Sequence, residues 1–426
     1  MILFIHILNI LCLAGISVLL VQRSSRFKIY ATLGLLVKFV CGILLGWLYM
    51  HYYGYGDTLA YYKEGTQLAE LAITSPINYL EYLFTSSSAL FKTQFVYEPR
   101  ALFFTKITSV FCLVSANNYW IVASYFSLLS FSGAWLFAKS LIKHYPSQKL
   151  AIILSLFLIP SAVFWSSGII KESLTFFLIC VLSNYIFNWV VDRKYQFKDV
   201  VLFIFCFILL WKIKYYYAGV YISVSLTLVL TVYILQIKES IANSRILLLA
   251  TYLTLFTAIV LIVTLFHPNL GINEIHGVIL KNYNAYAAKS SPGNYIVFNE
   301  LSNISGLVLS APKALLSGLY RPFIWEAQSS LLLFQSIECL LLLLLTISRL
   351  IYIPKKAAIT EFLLMASCLM FVFITVTFLA FSAPNFGTLS RYKSTLLPFL
   401  CFILLFNHPL LEKLKFNSLW QRSVKH

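Results

Sequence analysis

The chain has 426 residues, of which 60% are hydrophobic and 11% are charged, and its mean hydropathy is +0.84. Water-soluble proteins do not carry this much apolar surface, so the composition excludes a soluble enzyme and predicts a polytopic membrane protein. The net charge of +17 does not indicate a nucleic-acid partner, because the sequence contains no soluble basic domain that would carry it.

Apolar segments of about 20 residues, the length that crosses the hydrocarbon core of a bilayer, recur along the whole sequence. We predict an all-α fold in which residues 1–426 form a single polytopic membrane domain with about eleven transmembrane helices. The predicted spans are residues 2–21, 29–50, 117–138, 150–166, 171–191, 200–213, 215–236, 246–266, 329–349, 358–381 and 395–408. Only a tight turn within residues 211–217 separates the sixth span from the seventh.

The basic residues sort by the side of the membrane on which the connections between spans lie. One alternate set of connections holds eighteen bases and five acids, and the other holds thirteen bases and ten acids. Cytoplasmic connections are enriched in Lys and Arg. We therefore place the first set in the cytoplasm, the N-terminus outside and the C-terminus inside. This predicts an integral membrane protein whose active side is extracytoplasmic.

Two large external loops, residues 51–118 and 267–330, are expected to contain interfacial helices. Ser75-Pro76 and Glu98-Pro99 have the pattern of helix starts. Residues 101–115 are apolar but short for a crossing, and counting them as one would invert every later loop against the charge pattern. We interpret them as a helix in the outer interface. A further helix is expected near residues 301–319 of the second loop.

Asp57 stands directly after the second predicted span and before a short predicted helix over residues 58–71. Gly54 and Gly56 allow the sharp turn that this junction needs. One interpretation is structural, in which the carboxylate caps the free N–H groups of the following helix. The other is chemical, in which a carboxylate at the membrane surface acts as a general base. The other external charges favour the chemical interpretation.

Four further charged clusters lie on the predicted external side, each beside a proline, a glycine or an aromatic residue. Taken singly, such bases reach lipid headgroups, and such tryptophans form an interfacial belt. Taken together, they suit a cleft that holds a phosphate or pyrophosphate whose lipid tail stays in the bilayer. We predict substrate-binding roles for Lys171, Glu172, Arg321, Glu326, Arg391, Lys393, Arg100, Tyr61, Trp165 and Trp325.

A sugar linked to a polyprenyl phosphate has a good leaving group once cations neutralise the phosphate. The remaining task is to deprotonate an acceptor hydroxyl. Asp57 is the predicted catalytic base. Arg391, Lys171 and Arg321 are expected to act as phosphate or leaving-group partners. Glu172 or Glu326 is expected to position a base or a sugar hydroxyl, and the aromatic rings are expected to stack on sugar faces.

The Gly56-Asp57 pair with Tyr61 after it, the interfacial helices behind it and the many spans resemble the GT-C superfamily of membrane glycosyltransferases. Segments 321–326 (RPFIWE) and 387–393 (GTLSRYK) are similar to those of bacterial surface-polysaccharide membrane proteins often labelled as glycosyltransferases or polymerases. This resemblance implies a location in the bacterial inner (cytoplasmic) membrane. In GT-C enzymes an acid of the first external loop is the catalytic base, so the resemblance implies that role for Asp57. That acid usually follows the first span, whereas Asp57 follows the second.

The resulting hypothesis is transfer of a sugar or oligosaccharide from a polyprenyl-phosphate-linked donor to a surface glycan, lipid or protein acceptor on the extracytoplasmic face. An O-antigen-type polysaccharide polymerase, in which the external arginines do most of the work, is the nearest alternative. A transporter or flippase of lipid-linked sugars is the second, and it predicts broken or charged helices near the bilayer midplane and an internal repeat. A non-catalytic subunit of a membrane complex is the third.

The sequence requires no cofactor, and the external acids leave a divalent cation, Mg²⁺ or Mn²⁺, open. The expected partners are membrane lipid, the polyprenyl-phosphate-linked sugar and its acceptor, with no nucleic acid. Lys38 and Glu338 lie near the middle of two predicted spans, where a lone charge is costly. Their matching depths predict an ion pair between them.

Overall fold

The computed structural model describes residues 1–24, 27–86, 91–271, 274–299, 301–352 and 358–413. These residues form helices joined by turns and short loops. The same residues contain no β-strand, and two of them, Tyr295 and Asn385, form an isolated antiparallel bridge. The all-α prediction is confirmed. Six of the bases that we place in the cytoplasm lie outside the described residues: Arg26, Lys355, Lys356, Lys415, Arg422 and Lys425.

The α-helices are numbered in chain order. They are α1 (Ile2–Gln22), α2 (Lys28–Trp47), α3 (Asp57–Thr74), α4 (Pro76–Thr85), α5 (Pro99–Val114), α6 (Tyr119–His144), α7 (Lys149–Phe157), α8 (Pro160–Trp165), α9 (Lys171–Val191), α10 (Phe197–Ile237), α11 (Glu239–Ala242), α12 (Arg245–Val263), α13 (Ile275–Ala288), α14 (Ile304–Tyr320), α15 (Ser330–Ile351), α16 (Ile359–Ser382), α17 (Phe386–Lys393), α18 (Leu397–Leu405) and α19 (Pro409–Lys413).

Eight helices among the described residues are long and apolar enough to cross a membrane. They are Ile2–Gln22, Lys28–Tyr53, Tyr119–His144, Lys171–Val191, Phe197–Ile237, Arg245–Phe266, Ser330–Ile351 and Ile359–Ser382. Each covers one or two of the predicted spans, and the set has the composition of a polytopic membrane protein. The count of eleven is not confirmed.

The difference in count arises at three places. Residues 150–166 form two short helices, α7 and α8, and residues 395–408 contain only the nine-residue α18. The sixth and seventh predicted spans are joined in the 41-residue α10. A break at Lys214, with φ −146° and ψ 75°, interrupts α10 at the position of the predicted turn.

The predicted helix starts in the first large loop are confirmed, because Pro76 and Pro99 are the first residues of α4 and α5. The helix predicted at residues 301–319 is α14. In α3, Tyr61 and Leu68 lie on the buried face, and α3 packs along α5. The position of these helices relative to a membrane stays a prediction.

The chain divides into two compact units. Unit 1 comprises residues 1–137, 162–185 and 194–218, and unit 2 comprises residues 138–161, 186–193 and 219–426. The first large loop therefore belongs to unit 1 and the second to unit 2. In unit 2, the segment before α14 pairs with the corner between α16 and α17, where the Ile296 N–H donates to the Pro384 carbonyl at 3.0 Å.

The predicted ion pair between Lys38 and Glu338 is wrong, because each side chain has other partners within its own unit. The Lys38 ammonium, fully buried in unit 1, donates to the Ser130 hydroxyl at 2.9 Å and to the Ser166 carbonyl at 3.1 Å. The Glu338 carboxylate in unit 2 accepts from the Ser161 backbone N–H at 2.8 Å and from the Ser161 hydroxyl. Serine hydroxyls and backbone groups thus satisfy both charges in place of a charged partner.

Candidate functional site

Asp57 is the first residue of α3, and the sharp turn before it is made by glycines. Gly54 and Gly56 have φ values of +70° and +125°, which side chains other than glycine rarely adopt. The Asp57 side chain is half-buried. A carboxylate in the first turn of a helix is stabilised by the positive end of the helix dipole. The turn is as predicted, and the role of Asp57 as a base stays a prediction.

Tyr61 lies one turn further along α3 and is 1% exposed. Its ring packs against the rings of Phe104 and Phe95, with centroid distances of 5.0 and 5.4 Å. The Lys171 Nζ lies 5.3 Å from the centre of the same ring. A buried tyrosine does not offer an open face to a sugar, so its visible role is to support Lys171 by a cation–π contact.

Lys171 and Glu172 are the first two residues of α9, and they face different partners. Glu172 is fully buried and accepts a hydrogen bond from the Lys214 ammonium at 2.8 Å. Lys214, 2% exposed, is the residue at which α10 is broken. The sequence predicts that Glu172 binds substrate, and the structure shows it in a buried ion pair with Lys214.

Lys214 is a residue that sequence reasoning did not assign to the site. Its signal in the sequence is a base in the tight turn between two apolar spans. A buried ion pair is retained only with good geometry, because both charges lose their hydration. Pairing of Lys214 with Glu172 therefore depends on how closely the break in α10 approaches the start of α9.

Arg100, at the start of α5, lies over the two tyrosines that follow Lys214. Its guanidinium carbon is 5.4 Å from the centre of the Tyr215 ring and 5.7 Å from that of Tyr216. Arg100 itself is exposed. The break in α10 therefore supplies both the partner of Glu172 and the aromatic surface on which Arg100 rests.

Trp165, at the end of α8, is half-buried. It packs, together with Leu59 of α3, against a cluster formed by Leu45, Tyr49 and Ile170. Leu59 is two residues after Asp57, so Trp165 packs against the same apolar cluster as the first turn of α3. Trp165 therefore lies near the start of α3.

We use the name Asp57 cluster for a group of residues in unit 1 that are joined by these contacts or, for Asp57, by its place at the start of α3: Asp57, Tyr61, Arg100, Trp165, Lys171, Glu172 and Lys214. Three contacts hold the group together: Lys171 lies on the Tyr61 ring, Glu172 is paired with Lys214, and Arg100 lies over Tyr215 and Tyr216. Adjacency in the chain joins Lys171 to Glu172 and Lys214 to Tyr215. The cluster combines one half-buried carboxylate with two cations, Lys171 and Arg100, that lie over tyrosine rings and are not fully buried. That combination suits an anionic ligand with a hydroxyl-bearing partner.

The remaining predicted residues lie in unit 2, where Arg321 and Glu326 bind each other. The Arg321 Nε donates to Glu326 at 3.0 Å, and its Nη2 donates to the other carboxylate oxygen. The Phe323 N–H also donates to Glu326, at 2.8 Å. Trp325 is 81% exposed and stacks on Phe323 with centroids 4.8 Å apart. Of these residues, Trp325 presents the open aromatic surface.

Lys393 and Arg391, both in α17, differ in their surroundings. Lys393 is 1% exposed and donates to the carbonyls of Gly318, Leu319 and Arg321 at 2.9–3.0 Å. These carbonyls belong to the end of α14, so Lys393 caps that helix. This visible role is internal to the fold, in contrast to the predicted substrate contact. Arg391 is half-buried and lies 5.0 Å from the centre of the Tyr392 ring.

The acids considered as possible metal ligands do not gather. Within the described ranges, no three His, Cys, Asp or Glu residues lie close enough together to hold a metal ion. The Glu64 carboxylate instead accepts from the Thr93 hydroxyl at 2.7 Å and from the Gln94 N–H at 2.6 Å. Glu64 thereby fastens the segment before α5 to α3.

Comparison with known protein families, curated proteins and solved structures finds no match to this chain. The resemblance to GT-C enzymes therefore rests on the sequence motifs. Function is inferred from those motifs together with the geometry of the Asp57 cluster.

Proposed function

We propose that the chain transfers a sugar or oligosaccharide from a polyprenyl-phosphate-linked donor to a surface glycan, lipid or protein on the extracytoplasmic face of a bacterial cytoplasmic membrane. One observation carries the proposal. Asp57 begins α3, and the Lys171 ammonium lies on the Tyr61 ring one turn along the same helix. The first two turns of α3 therefore carry a carboxylate that can act as a base and a tyrosine ring that contacts a cation able to bind a phosphate.

In the proposed reaction, the lipid tail of the donor stays in the bilayer and the phosphate meets Lys171 and Arg100. Asp57 accepts the proton of the acceptor hydroxyl as its oxygen bonds to the anomeric carbon of the donor sugar. The bond between that carbon and the phosphate oxygen breaks, and polyprenyl phosphate leaves with the electron pair. The two cations stabilise the charge that develops on the phosphate. The proton then passes from Asp57 to water.

The other predicted residues take more limited roles in this proposal. Trp165 provides a ring for sugar stacking beside the start of α3, and Trp325 provides an exposed ring in unit 2. Arg321 and Glu326 act as a hydrogen-bonded pair within unit 2, and the substrate contact predicted for Arg391 stays a prediction. An O-antigen-type polymerase would use the same chemistry with a second lipid-linked glycan as the acceptor.

A transporter or flippase of lipid-linked sugars is a second candidate, because two observations favour it. Lys38 is fully buried within a candidate span. The helical conformation is interrupted at two places, between α8 and α9 and at Lys214 of α10. Broken helices and buried charges are typical of secondary transporters. The sequence shows no internal repeat, which such transporters commonly have.

Product analysis separates the two candidates. The purified full-length protein in nanodiscs receives a pool of polyprenyl-phosphate-linked sugars and a membrane extract as the source of acceptor. A glycosyltransferase releases polyprenyl phosphate and forms a glycosylated acceptor, both of which mass spectrometry detects. A flippase leaves the donor chemically unchanged and moves it between the leaflets of proteoliposomes. Unchanged donor in the first assay would overturn the transferase proposal, and addition of EDTA tests whether Mg²⁺ or Mn²⁺ is needed.

A further inference from the structure

The segment between α8 and α9, residues 166–170, is non-helical and lies inside unit 1. Ser166, Ser167, Ile169 and Ile170 are fully buried. The N–H groups of Ser166, Ser167 and Ile170 donate to carbonyls within four residues of them. The Gly168 N–H and the Ser166 carbonyl instead bond side chains of other helices, because buried backbone outside a regular helix still needs partners. These two anchors hold the segment against α6 and α2.

One anchor of the segment involves Gly168, whose φ is +73°. The Gly168 N–H donates to the Ser127 hydroxyl of α6 at 3.0 Å. Gly42 of α2 faces the same contact, since a Cβ at that position would lie 2.3 Å from the Ser127 Oγ and 3.4 Å from the Gly168 nitrogen. The absence of a side chain at Gly42 thus lets α2, α6 and the segment meet.

The other anchor is Lys38 of α2. Its Nζ donates to the Ser166 carbonyl at 3.1 Å, to the Ser130 hydroxyl at 2.9 Å and to the Ser166 hydroxyl. The Phe176 ring of α9 lies 4.8 Å from the same nitrogen. Three acceptors match the three N–H donors of an ammonium group. Lys38 therefore hydrogen-bonds Ser166 in the segment between α8 and α9 and also contacts Phe176 within α9.

We infer that Lys38 is a positioning residue, which fixes the break at residues 166–170 and thereby places Lys171 for the donor phosphate. Lys171 follows the fixed segment directly and rests on the Tyr61 ring. A charged residue within a membrane span is costly, and this one is surrounded by groups that bond it rather than by a carboxylate. The functional part of the inference rests on the proposed function, in which Lys171 binds phosphate.

The test compares Lys38→Met, which removes all three hydrogen bonds at similar volume, with Ser130→Ala, which removes one. Ser130→Ala keeps the inference testable if Lys38→Met does not give a folded protein. Two matched controls are Lys28→Met, an exposed lysine at the start of α2, and Ser124→Ala on α6. The Ser124 hydroxyl donates to the Trp120 carbonyl of its own helix.

Amide hydrogen exchange measures the segment independently of activity. We expect faster exchange at residues 166–173 in Lys38→Met, a smaller increase in Ser130→Ala, and parental exchange in both controls. Unchanged exchange in both test variants would overturn the inference, and so would a uniform increase across unit 1. If the parent protein shows no transfer, the proposed function fails, while this measurement still decides whether Lys38 fixes the segment.

Transfer kinetics then test the positioning role. Loss of the hydrogen bonds that position Lys171 should raise the KM for donor about tenfold in Lys38→Met and by a smaller factor in Ser130→Ala, with the KM for acceptor unchanged. A residue that only stabilises the fold would lower the amount of active protein, which reduces the apparent kcat and leaves the KM for donor unchanged. That second pattern would contradict the inference.

Discussion

Lys214 and Glu172 form a buried ion pair that the sequence did not predict. Each side chain is at most 2% exposed, and they are joined at 2.8 Å. Removing one member of a buried ion pair leaves the other charge without compensation, which costs about 3–5 kcal/mol of unfolding free energy. Replacing both by apolar residues of similar volume avoids that cost.

We therefore expect Lys214→Met and Glu172→Met each to lower the free energy of unfolding by about 3–5 kcal/mol, and the double variant to recover most of the loss. Chemical unfolding in detergent micelles measures all four proteins. Additive losses in the double variant would show that the two side chains act independently, which contradicts the pairing seen in the structure.

Asp192, which lies outside the candidate spans, is expected to make the stability of the folded protein depend on pH. The hydrogen bond from Lys143, at 3.0 Å, holds the pKa of the Asp192 carboxyl below its ordinary value of 3.8, and the nearby His144 adds to the effect. A carboxyl whose pKa is lowered by folding stabilises the folded protein above its unfolded pKa, and this stability is lost as the pH falls through the lowered value.

We expect Asp192→Asn to lower the free energy of unfolding by no more than about 1 kcal/mol at pH 7, because the pair is solvent-exposed. The difference from the parent should shrink as the pH falls below 3.8 and decrease with added salt. Unfolding of both proteins measured from pH 7 to pH 3 tests this. A difference that grows on acidification would mean that the carboxylate does not stabilise the folded protein through Lys143.

At the scale of single elements, the close approach between α2 and the segment at residues 166–170 depends on Gly42. In Gly42→Ala the new Cβ would come within 2.3 Å of the Ser127 Oγ, so either this hydroxyl turns away from the Gly168 N–H to which it is bonded or the two helices, α2 and α6, separate. Such overpacking costs about 1–3 kcal/mol. Gly15 of α1 is a matched control, because a Cβ there meets nothing within 4 Å.

We expect Gly42→Ala to lower the unfolding midpoint of the protein and Gly15→Ala to leave it unchanged or raise it slightly, since alanine favours a helix. Thermal unfolding followed by circular dichroism measures both variants. Equal midpoints for the parent and Gly42→Ala would show that α2 and residues 166–170 are not in close contact.

Elements were predictable where the sequence contains a local signal. The long apolar segments, the glycine turn before Asp57 and the proline starts of α4 and α5 follow from hydropathy and backbone preference, and the structure contains them. The length of α10 and the shortness of α7, α8 and α18 did not follow, because apolar composition does not specify where a buried helix breaks. Lys214 breaks α10 while paired with Glu172, a contact between residues far apart in sequence.

The sequence was sufficient to identify candidate site residues, but it predicted only some of the contacts that they make. Charges and aromatic rings beside proline or glycine were identified as a set, and six of the predicted site residues lie in the Asp57 cluster. Their partners depended on tertiary contacts. Lys393 caps α14, and Lys38 bonds serines, because a buried ammonium is satisfied by carbonyl and hydroxyl oxygens as well as by an acid.

At the scale of the whole molecule, the predicted placement of the two termini depends on whether α10 crosses the membrane once or twice. Its 41 residues correspond to about 60 Å of helix, roughly twice the hydrocarbon thickness. Bases flank it at both ends, at Arg193 and Lys194 before it and at Lys238 and Arg245 after it. The positive-inside rule predicts that both flanks are cytoplasmic, with the break at Lys214 near the opposite surface.

Fusions of a periplasm-active and a cytoplasm-active reporter after residues 194 and 240 test this topology. We expect cytoplasmic activity at both positions, because their flanking bases resist translocation. Reporters on opposite sides would mean that α10 crosses the membrane once, and the predicted placement of the termini would then be wrong.

The proposed mechanism depends most on Asp57, which we propose as the base of a glycosyl transfer, with Lys171 and Arg100 proposed to bind the donor phosphate. The most direct measurement compares Asp57→Asn with the parent and with Glu70→Gln, which alters an exposed acid on the same α3. Donor binding and transfer are measured separately in nanodiscs. Asparagine keeps the size of the side chain and removes its basicity.

We expect Asp57→Asn to fold and to bind polyprenyl-phosphate-linked sugar like the parent, while its transfer rate falls by about 10²–10⁴-fold, the range supplied by a general base. Glu70→Gln should match the parent in both assays. Transfer by Asp57→Asn at the parental rate would show that Asp57 only stabilises the start of α3, and would contradict the proposed mechanism.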